Sequence, residues 1–193
     1  MAGSRPCSTI SPAVFATAVE EFARASDRFR DSETYRLDLV SFQLQVLNNK
    51  ALGVSGELTD AMKQGSRPAF EDAAGRFLGL GADADRLLGS EAFYRLDTYK
   101  RQAAAYGSTP AEKAECLQNA MALITTWAGD DRNEDKLHDY AFKAWGGMMA
   151  SYDMGRWRTY FDHVSRTWGT PGVPAPDFFA WERRWAEQNS GAP

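Results

Sequence analysis

The sequence predicts an all-α fold, a single compact domain of about seven or eight helices. Apolar residues recur at three- and four-residue spacings along most of the chain, which is the period of an amphipathic helix. No segment shows a sustained two-residue alternation bounded by hairpin turns, so strands are not indicated. The chain has 193 residues, of which 44% are hydrophobic, and can therefore bury one core without disulfides or metal. We place this domain at residues 11–189, between flexible tails at 1–10 and 190–193.

Three helices are predicted in the first half of the chain. Ser11 can cap the first helix, whose first turn accepts the proline that follows. The second runs from about residue 33 to residue 62, and a kink is expected near Gly53 and Gly56. The third spans about residues 68–88.

The next two predicted helices cover about residues 91–106 and the segment that begins at Pro110. Thr109 is the N-cap of the second, and Glu112 completes a capping box with it, which is the clearest helix start in the sequence. The residues at helical spacing on its apolar face are Cys116, Ala120, Leu123 and Trp127.

An aromatic-rich segment, LHDYAFKAWGGMMASYDMGRWRTYF at residues 137–161, follows an acidic loop. Its spacing predicts a helix from about Lys136 to Met149, a break near 153–155, and a further helix to about Trp168. The core stripe expected on the first of these helices consists of Phe142, Trp145, Met149 and Tyr152. A Pro/Gly linker then leads to a short final helix with Phe178 and Trp181 on its apolar side.

Several kinds of site are not indicated. The alternating acids of the loop lack the glycine and the twelfth-position glutamate of an EF-hand. His138 and His163 have no partners at zinc-site spacing, and the two cysteines, Cys7 and Cys116, match no metal motif. Phosphate-binding and serine-nucleophile motifs are also missing from the sequence. We therefore predict no metal and no cofactor.

Charge and hydropathy argue against two classes of partner, nucleic acids and membranes. The net charge is −4 and no run of Lys and Arg could track a phosphate backbone, which argues against nucleic acid. No segment reads as a transmembrane span or a signal peptide, so no membrane partner is expected. We expect a cytoplasmic protein if the chain is complete, whereas for a fragment the compartment is unknown.

A series of residues near the acidic loop resembles the C-terminal helical domain of the α-N-acetylglucosaminidases, glycoside hydrolase family 89. The matching residues, at the family's offsets from Asp139 onward, are Trp127, Asp139, Tyr140, Ala141, Lys143, Gly147, Tyr152, Arg156 and Trp157. Weaker similarity extends from about Phe15 to Trp185.

The resemblance implies a helical domain that packs beside a (β/α)₈ barrel and closes one side of a pocket for terminal N-acetylglucosamine. The family's pocket residues carry over to Trp127, Leu137 and Tyr140, and Asp139 supplies a nearby carboxylate. The family's two catalytic glutamates belong to the barrel and have no counterpart here. The chain is therefore not expected to hydrolyse a glycoside alone, and a barrel domain or partner chain is implied.

Some departures from the family pattern bear on this site. Eleven residues separate Trp127 from Asp139, about four more than the family pattern has, which places the orientation of Trp127 in question. Met121 stands where an arginine is expected. Two other hypotheses stay open: a free-standing helical protein that reuses the aromatic cleft for another small molecule, a new reaction or protein docking, and a purely structural partner of another chain.

Overall fold

A computed structural model describes residues 11–127 and 139–191 of the chain. Within these ranges the protein contains eight α-helices and no β-strand, so the all-α prediction is confirmed. The boundaries of the two predicted tails stay predictions. The helices are α1 (Pro12–Ala23), α2 (Ser26–Phe29), α3 (Glu33–Lys63), α4 (Arg67–Gly89), α5 (Leu96–Ala104), α6 (Pro110–Ile124), α7 (Met154–Arg166) and α8 (Phe178–Asn189). In the described residues, no helix combines the length and the apolar character needed to cross a membrane.

Helices α3 and α4 form a long antiparallel hairpin, against which α1, α2 and α7 pack. The turn between them is built on Gly65, whose φ of 67° is readily adopted only by glycine. The Ser66 N–H donates to the Ala61 carbonyl at 2.9 Å, which closes the end of α3. Helix α3 runs through Gly53 and Gly56 without interruption, and a Cβ at either position would touch nothing within 4 Å.

The core of the described residues consists of two hydrophobic clusters. The first joins α3, α4 and α7, where the Phe70 and Phe161 rings meet edge to face at 5.8 Å. The second joins α5, α6, α8 and the segment that precedes α7, with Tyr152 and Met121 fully buried. Helix α6 ends, and the segment leading into α7 runs, beside this second cluster.

Helix α6 begins as predicted but buries a different face. The Thr109 hydroxyl accepts a hydrogen bond from the Glu112 N–H, and the Glu112 carboxylate accepts one from the Thr109 N–H. The buried residues are Leu117, Ala120, Met121 and Ile124. Leu123 is exposed instead, so the predicted stripe was wrong by about one position around the helix.

The prediction of a helix from Lys136 to Met149 was wrong for residues 139–147, whereas its last two residues are helical. The chain turns at residues 139–141 and has no regular secondary structure at residues 142–145, and Gly146 then forms a parallel bridge with Arg95. A Cβ at Gly146 would lie 2.5 Å from the Gly89 nitrogen, so the two backbones approach too closely for a side chain. Phe142, which was placed in the core, is 44% exposed.

The expected break at residues 153–155 is also absent from the structure. A π-helical turn at Met149–Asp153 leads directly into α7. The Asp85 carboxylate accepts hydrogen bonds from the N–H groups of Gly147 (2.7 Å) and Ala150 (3.0 Å), which caps this turn from α4. The Asp85 side chain of α4 therefore caps the beginning of the helical segment that continues through residues 153–155.

Two smaller predictions need adjustment. The segment predicted as one helix over 91–106 is divided into a 3₁₀ turn at Ala92–Tyr94 and α5. Helix α8 buries Phe179 and Trp185, whereas Phe178 and Trp181 are only half-buried.

Candidate functional site

Trp127 and Tyr140 lie together on the surface at the end of α6. Their ring centroids are 4.8 Å apart and the ring planes meet at 63°, an edge-on arrangement. Trp127 is 38% exposed and Tyr140 is 70% exposed, so the pair can be reached from solvent. Two of the predicted ligand-binding residues are thus adjacent despite the long intervening loop. Leu137, the third, lies outside the described residues.

The backbone at this site is unusual at two points. Trp127 and Asp139 have φ values of 53° and 56°, in the left-handed region that residues other than glycine rarely adopt. The Asp139 N–H donates to the Thr125 carbonyl at 2.7 Å, which ties the chain after the loop to the end of α6. Thr125 is itself fully buried, and its hydroxyl donates to the Met121 carbonyl. Such positions persist only where the surroundings enforce them, and they are common at functional sites.

The Asp139 carboxylate takes part in a partly buried polar network. One oxygen accepts a hydrogen bond from the Tyr152 hydroxyl at 2.8 Å, and the other accepts one from Arg156 at 2.6 Å. The same Arg156 nitrogen donates to Glu182 at 2.6 Å. Asp139 was predicted as a ligand-binding residue, and in the structure both of its carboxylate oxygens accept hydrogen bonds from protein side chains. Direct contact between Asp139 and a ligand stays a prediction.

Arg156 is the centre of this buried network. Its guanidinium carbon lies 4.5 Å from the centroid of the Tyr152 ring, a cation–π contact. Its other terminal nitrogen lies 3.8 Å from Asp153. Burial lowers the pKa of Arg156, but its hydrogen bonds to Glu182 and Asp139 outweigh burial and leave the pKa above its ordinary value. The guanidinium is therefore a permanent cation among three carboxylates.

Burial also raises the pKa of two side chains in this network, Asp153 and Tyr152. The pKa of Asp153 is raised to about 7, because the side chain is desolvated and Arg156 only partly offsets that cost. One Asp153 oxygen is buried without a hydrogen-bond partner among the described residues. Burial likewise raises the pKa of Tyr152 above its usual range, so its hydroxyl remains a donor to Asp139.

Glu182 and Asp153 were missed from the sequence. Glu182 is three residues after Phe179 and three before Trp185, and all three are buried. That spacing places a glutamate on the apolar face of α8, where an acid needs a charged partner. The signal was available but was obscured because Phe178 and Trp181 were taken for the apolar face.

The described residues contain no group of three or more His, Cys, Asp or Glu side chains arranged to hold a metal ion. The carboxylates of the network surround a guanidinium, so their arrangement is that of an ion-pair cluster.

Comparison with known proteins places this geometry in context. The human α-N-acetylglucosaminidase is 26% identical over 140 residues, which cover 68% of this chain and 17% of that protein. A family 89 glycoside hydrolase from Clostridium perfringens, solved in complex with PUGNAc, superposes with a TM-score of 0.85 at 25% identity. A doubly substituted Clostridium perfringens family 89 protein, solved with its substrate GlcNAc-α-1,4-galactose, gives 0.84 at 26% identity.

Both structural matches cover 93% of this chain and only 21% of the larger protein. The chain thus corresponds to one helical domain of those enzymes, and nothing in its described residues corresponds to a catalytic barrel. This favours the enzyme-domain hypothesis over reuse of the fold for another purpose. The family model for the alpha-N-acetylglucosaminidase (NAGLU) C-terminal domain matches residues 4–193, and the chain belongs to that family.

Proposed function

We propose that this domain forms one wall of a pocket for a terminal N-acetylglucosamine residue, and that a barrel domain completes the pocket. The observation that carries the proposal is the exposed Trp127–Tyr140 pair, which sits on a buried polar network. The relatives support the choice of ligand, since one is named for this sugar and another was solved with a GlcNAc disaccharide.

The chemistry of the pair suits a sugar. The apolar C–H face of a pyranose stacks on an aromatic ring, and its hydroxyl groups take hydrogen bonds from polar side chains. In the proposed arrangement Trp127 stacks on the ring, Tyr140 donates a hydrogen bond and Leu137 packs against the sugar. Both residues are partly exposed, Tyr140 more than Trp127, so a ligand can reach them from solvent.

The surroundings hold the pair in place before a ligand arrives. Asp139 adjoins Tyr140 in the chain, and its backbone and carboxylate are fixed by Thr125, Tyr152 and Arg156. Side chains that are already ordered lose little entropy on binding, which increases affinity. The network therefore acts as the support of the site.

The domain alone is not expected to cleave a glycosidic bond. Retaining and inverting hydrolases need two carboxyl groups on either side of that bond. Among the described residues of the network, Asp139 and Glu182 are hydrogen-bonded to Arg156, and Asp153 is buried. A chromogenic α-N-acetylglucosaminide should therefore not be hydrolysed by the purified chain.

An NMR titration of the labelled 193-residue chain with N-acetylglucosamine tests the proposal. We expect chemical-shift changes at the Trp127 indole and at the Tyr140 amide that saturate at millimolar sugar concentrations. Tyr140→Ala should abolish them, whereas Tyr106→Ala, at a tyrosine that is 88% exposed after α5, should leave them unchanged. Absence of shifts at high sugar concentration, or equal responses in the two variants, would contradict the proposed site.

A further inference from the structure

A second concave feature lies beside the parallel bridge between Arg95 and Gly146. It is a groove of about 420 Å³ between the 3₁₀ turn, the start of α5 and residues 143–145, which precede Gly146. Its principal side chains are those of Phe93, Arg95, Tyr99, Gln102, Lys143 and Trp145. The lining includes Lys143, a residue of the family-like motif that the sugar site does not use.

The two walls of the groove are held by backbone hydrogen bonds. The Gly146 N–H donates to the Tyr94 carbonyl at 2.7 Å, and the Leu96 N–H donates to the Gly146 carbonyl at 3.0 Å. Gly146 also lies close against the backbone of Gly89, which adds a further contact to this wall. The groove is therefore largely formed in advance, as is usual for small-molecule sites.

Aromatic rings provide the apolar part of this groove. The Tyr99 and Trp145 rings are in tilted contact, with centroids 4.7 Å apart and planes inclined by 37°. Phe93 stands at the rim, largely exposed, in edge contact with Tyr94. A flat ring entering the groove would contact these side chains over an apolar surface.

The charge of the groove is positive. The Arg95 guanidinium donates only to the backbone carbonyls of Gly89 and Ser90, and no carboxylate pairs with it in the described residues. Within the same part of the chain, the Lys143 ammonium has neither a hydrogen bond nor an ion pair. Among the described residues, no acidic side chain lines the groove. Two cations without carboxylate partners beside aromatic rings favour an anion attached to a ring.

We propose that this groove binds a small oxyanion, a carboxylate or a phosphate, carried on a flat ring. Lys143 and Arg95 would hold the oxyanion, the side chain of Gln102 would donate a further hydrogen bond, and the ring would lie against Trp145 and Phe93. The site is additional to the Trp127–Tyr140 pair and does not depend on the proposed sugar pocket.

The test is an NMR titration of the 193-residue chain with benzoate, phenyl phosphate and the neutral analogue benzyl alcohol. Either anion, or both, should give saturable shifts at the Trp145 indole and at the amides of Thr98 and Lys143, and their relative affinities would distinguish carboxylate from phosphate. Benzyl alcohol should bind much more weakly. Raising the salt concentration should weaken binding of the anions, because the contributing charges are exposed.

Lys143→Gln is the informative variant, because it removes one charge from an exposed side chain that carries no structural contact in the described residues. We expect the dissociation constant of the anion to rise about two- to fivefold, the range for an exposed ion pair. Lys113→Gln, an equal charge change at an exposed site on α6, is the matched control and should have no effect. The proposal is wrong if neither anion gives saturable shifts, if benzyl alcohol binds equally well, or if the two variants behave alike.

Discussion

Replacing Arg156 with methionine tests whether the buried network supports the fold as the geometry indicates. The guanidinium is 21% exposed and donates to Asp139 and to Glu182, whose side chain is fully buried. Methionine keeps much of the side-chain length and apolar contact but removes the cation. Glu182 would then lose its hydrogen-bonded guanidinium in a site without access to water.

The expected loss is large. Removing one partner of a buried ion pair costs about 3–5 kcal/mol, because the remaining charge stays desolvated. A domain of this size has a total stability of roughly 5–15 kcal/mol, so a substantial fraction would be lost. The thermal midpoint should fall by roughly 6–20 °C, at about 2–4 °C for each kcal/mol.

Urea unfolding followed by tryptophan fluorescence measures this change. Arg158→Met is the control, because Arg158 is exposed on the same helix and should cost less than about 0.5 kcal/mol. Adding Glu182→Gln to Arg156→Met should recover at least about 1 kcal/mol, since it removes the buried charge. A loss below about 1 kcal/mol in the single variant, or no recovery in the double variant, would refute this account of the network.

Three further predictions concern the support of the site. Burial raises the pKa of Asp153 from 3.8 to about 7, so between these pH values the folded state holds a proton that the unfolded state releases. The resulting stabilisation of the folded state is full below pH 3.8 and is lost as the pH rises through 7. Asp153→Asn should therefore gain about 1–3 kcal/mol relative to the wild type between pH 5 and pH 8 in urea unfolding, and a constant difference would contradict the assignment. Gly146→Ala should lower the free energy of unfolding by about 1–3 kcal/mol, because its Cβ would meet the Gly89 backbone. Gly79→Ala, in open space within α4, should instead raise it by about 0.5–1 kcal/mol, and thermal unfolding of both variants compares them. Thr109→Ala should cost about 0.5–2 kcal/mol by removing the cap of α6, and unchanged helicity and melting temperature would argue against that role.

Local signals in the sequence were sufficient for most helices. The capping box at Thr109 places the start of α6 correctly, since both of its hydrogen bonds lie within four residues of chain. The face that α6 buries could not be obtained in this way. Cys116, Leu123 and Trp127 are apolar residues at helical spacing, yet the side of a helix that faces the core depends on which neighbours pack against it.

The segment after the acidic loop shows a different limit of sequence reasoning. Its aromatic spacing satisfies a helix, but the backbone groups of Gly146 pair with Tyr94 and Leu96, about fifty residues earlier in the chain. Contacts of that range leave no periodic signal in a single sequence. The adjacent glycines at 146 and 147 were the available hint, since two glycines disfavour a helix interior and Gly147 takes a φ of 89°.

The candidate site follows from this same departure from helical structure. An uninterrupted helix through residues 136–149 would carry Asp139 in the ordinary helical conformation, with its N–H bonded inside that helix. In the structure the N–H bonds Thr125 at the end of α6, and the carboxylate reaches Tyr152 and Arg156 at the start of α7. One residue thereby links both helices and sets the position of Tyr140 beside Trp127. Asp139→Asn should therefore disturb the Trp127–Tyr140 pair, because the position of the exposed tyrosine depends on the aspartate. Tyr140→Ala should have a smaller effect on the Arg156 network, because the network does not depend on the tyrosine.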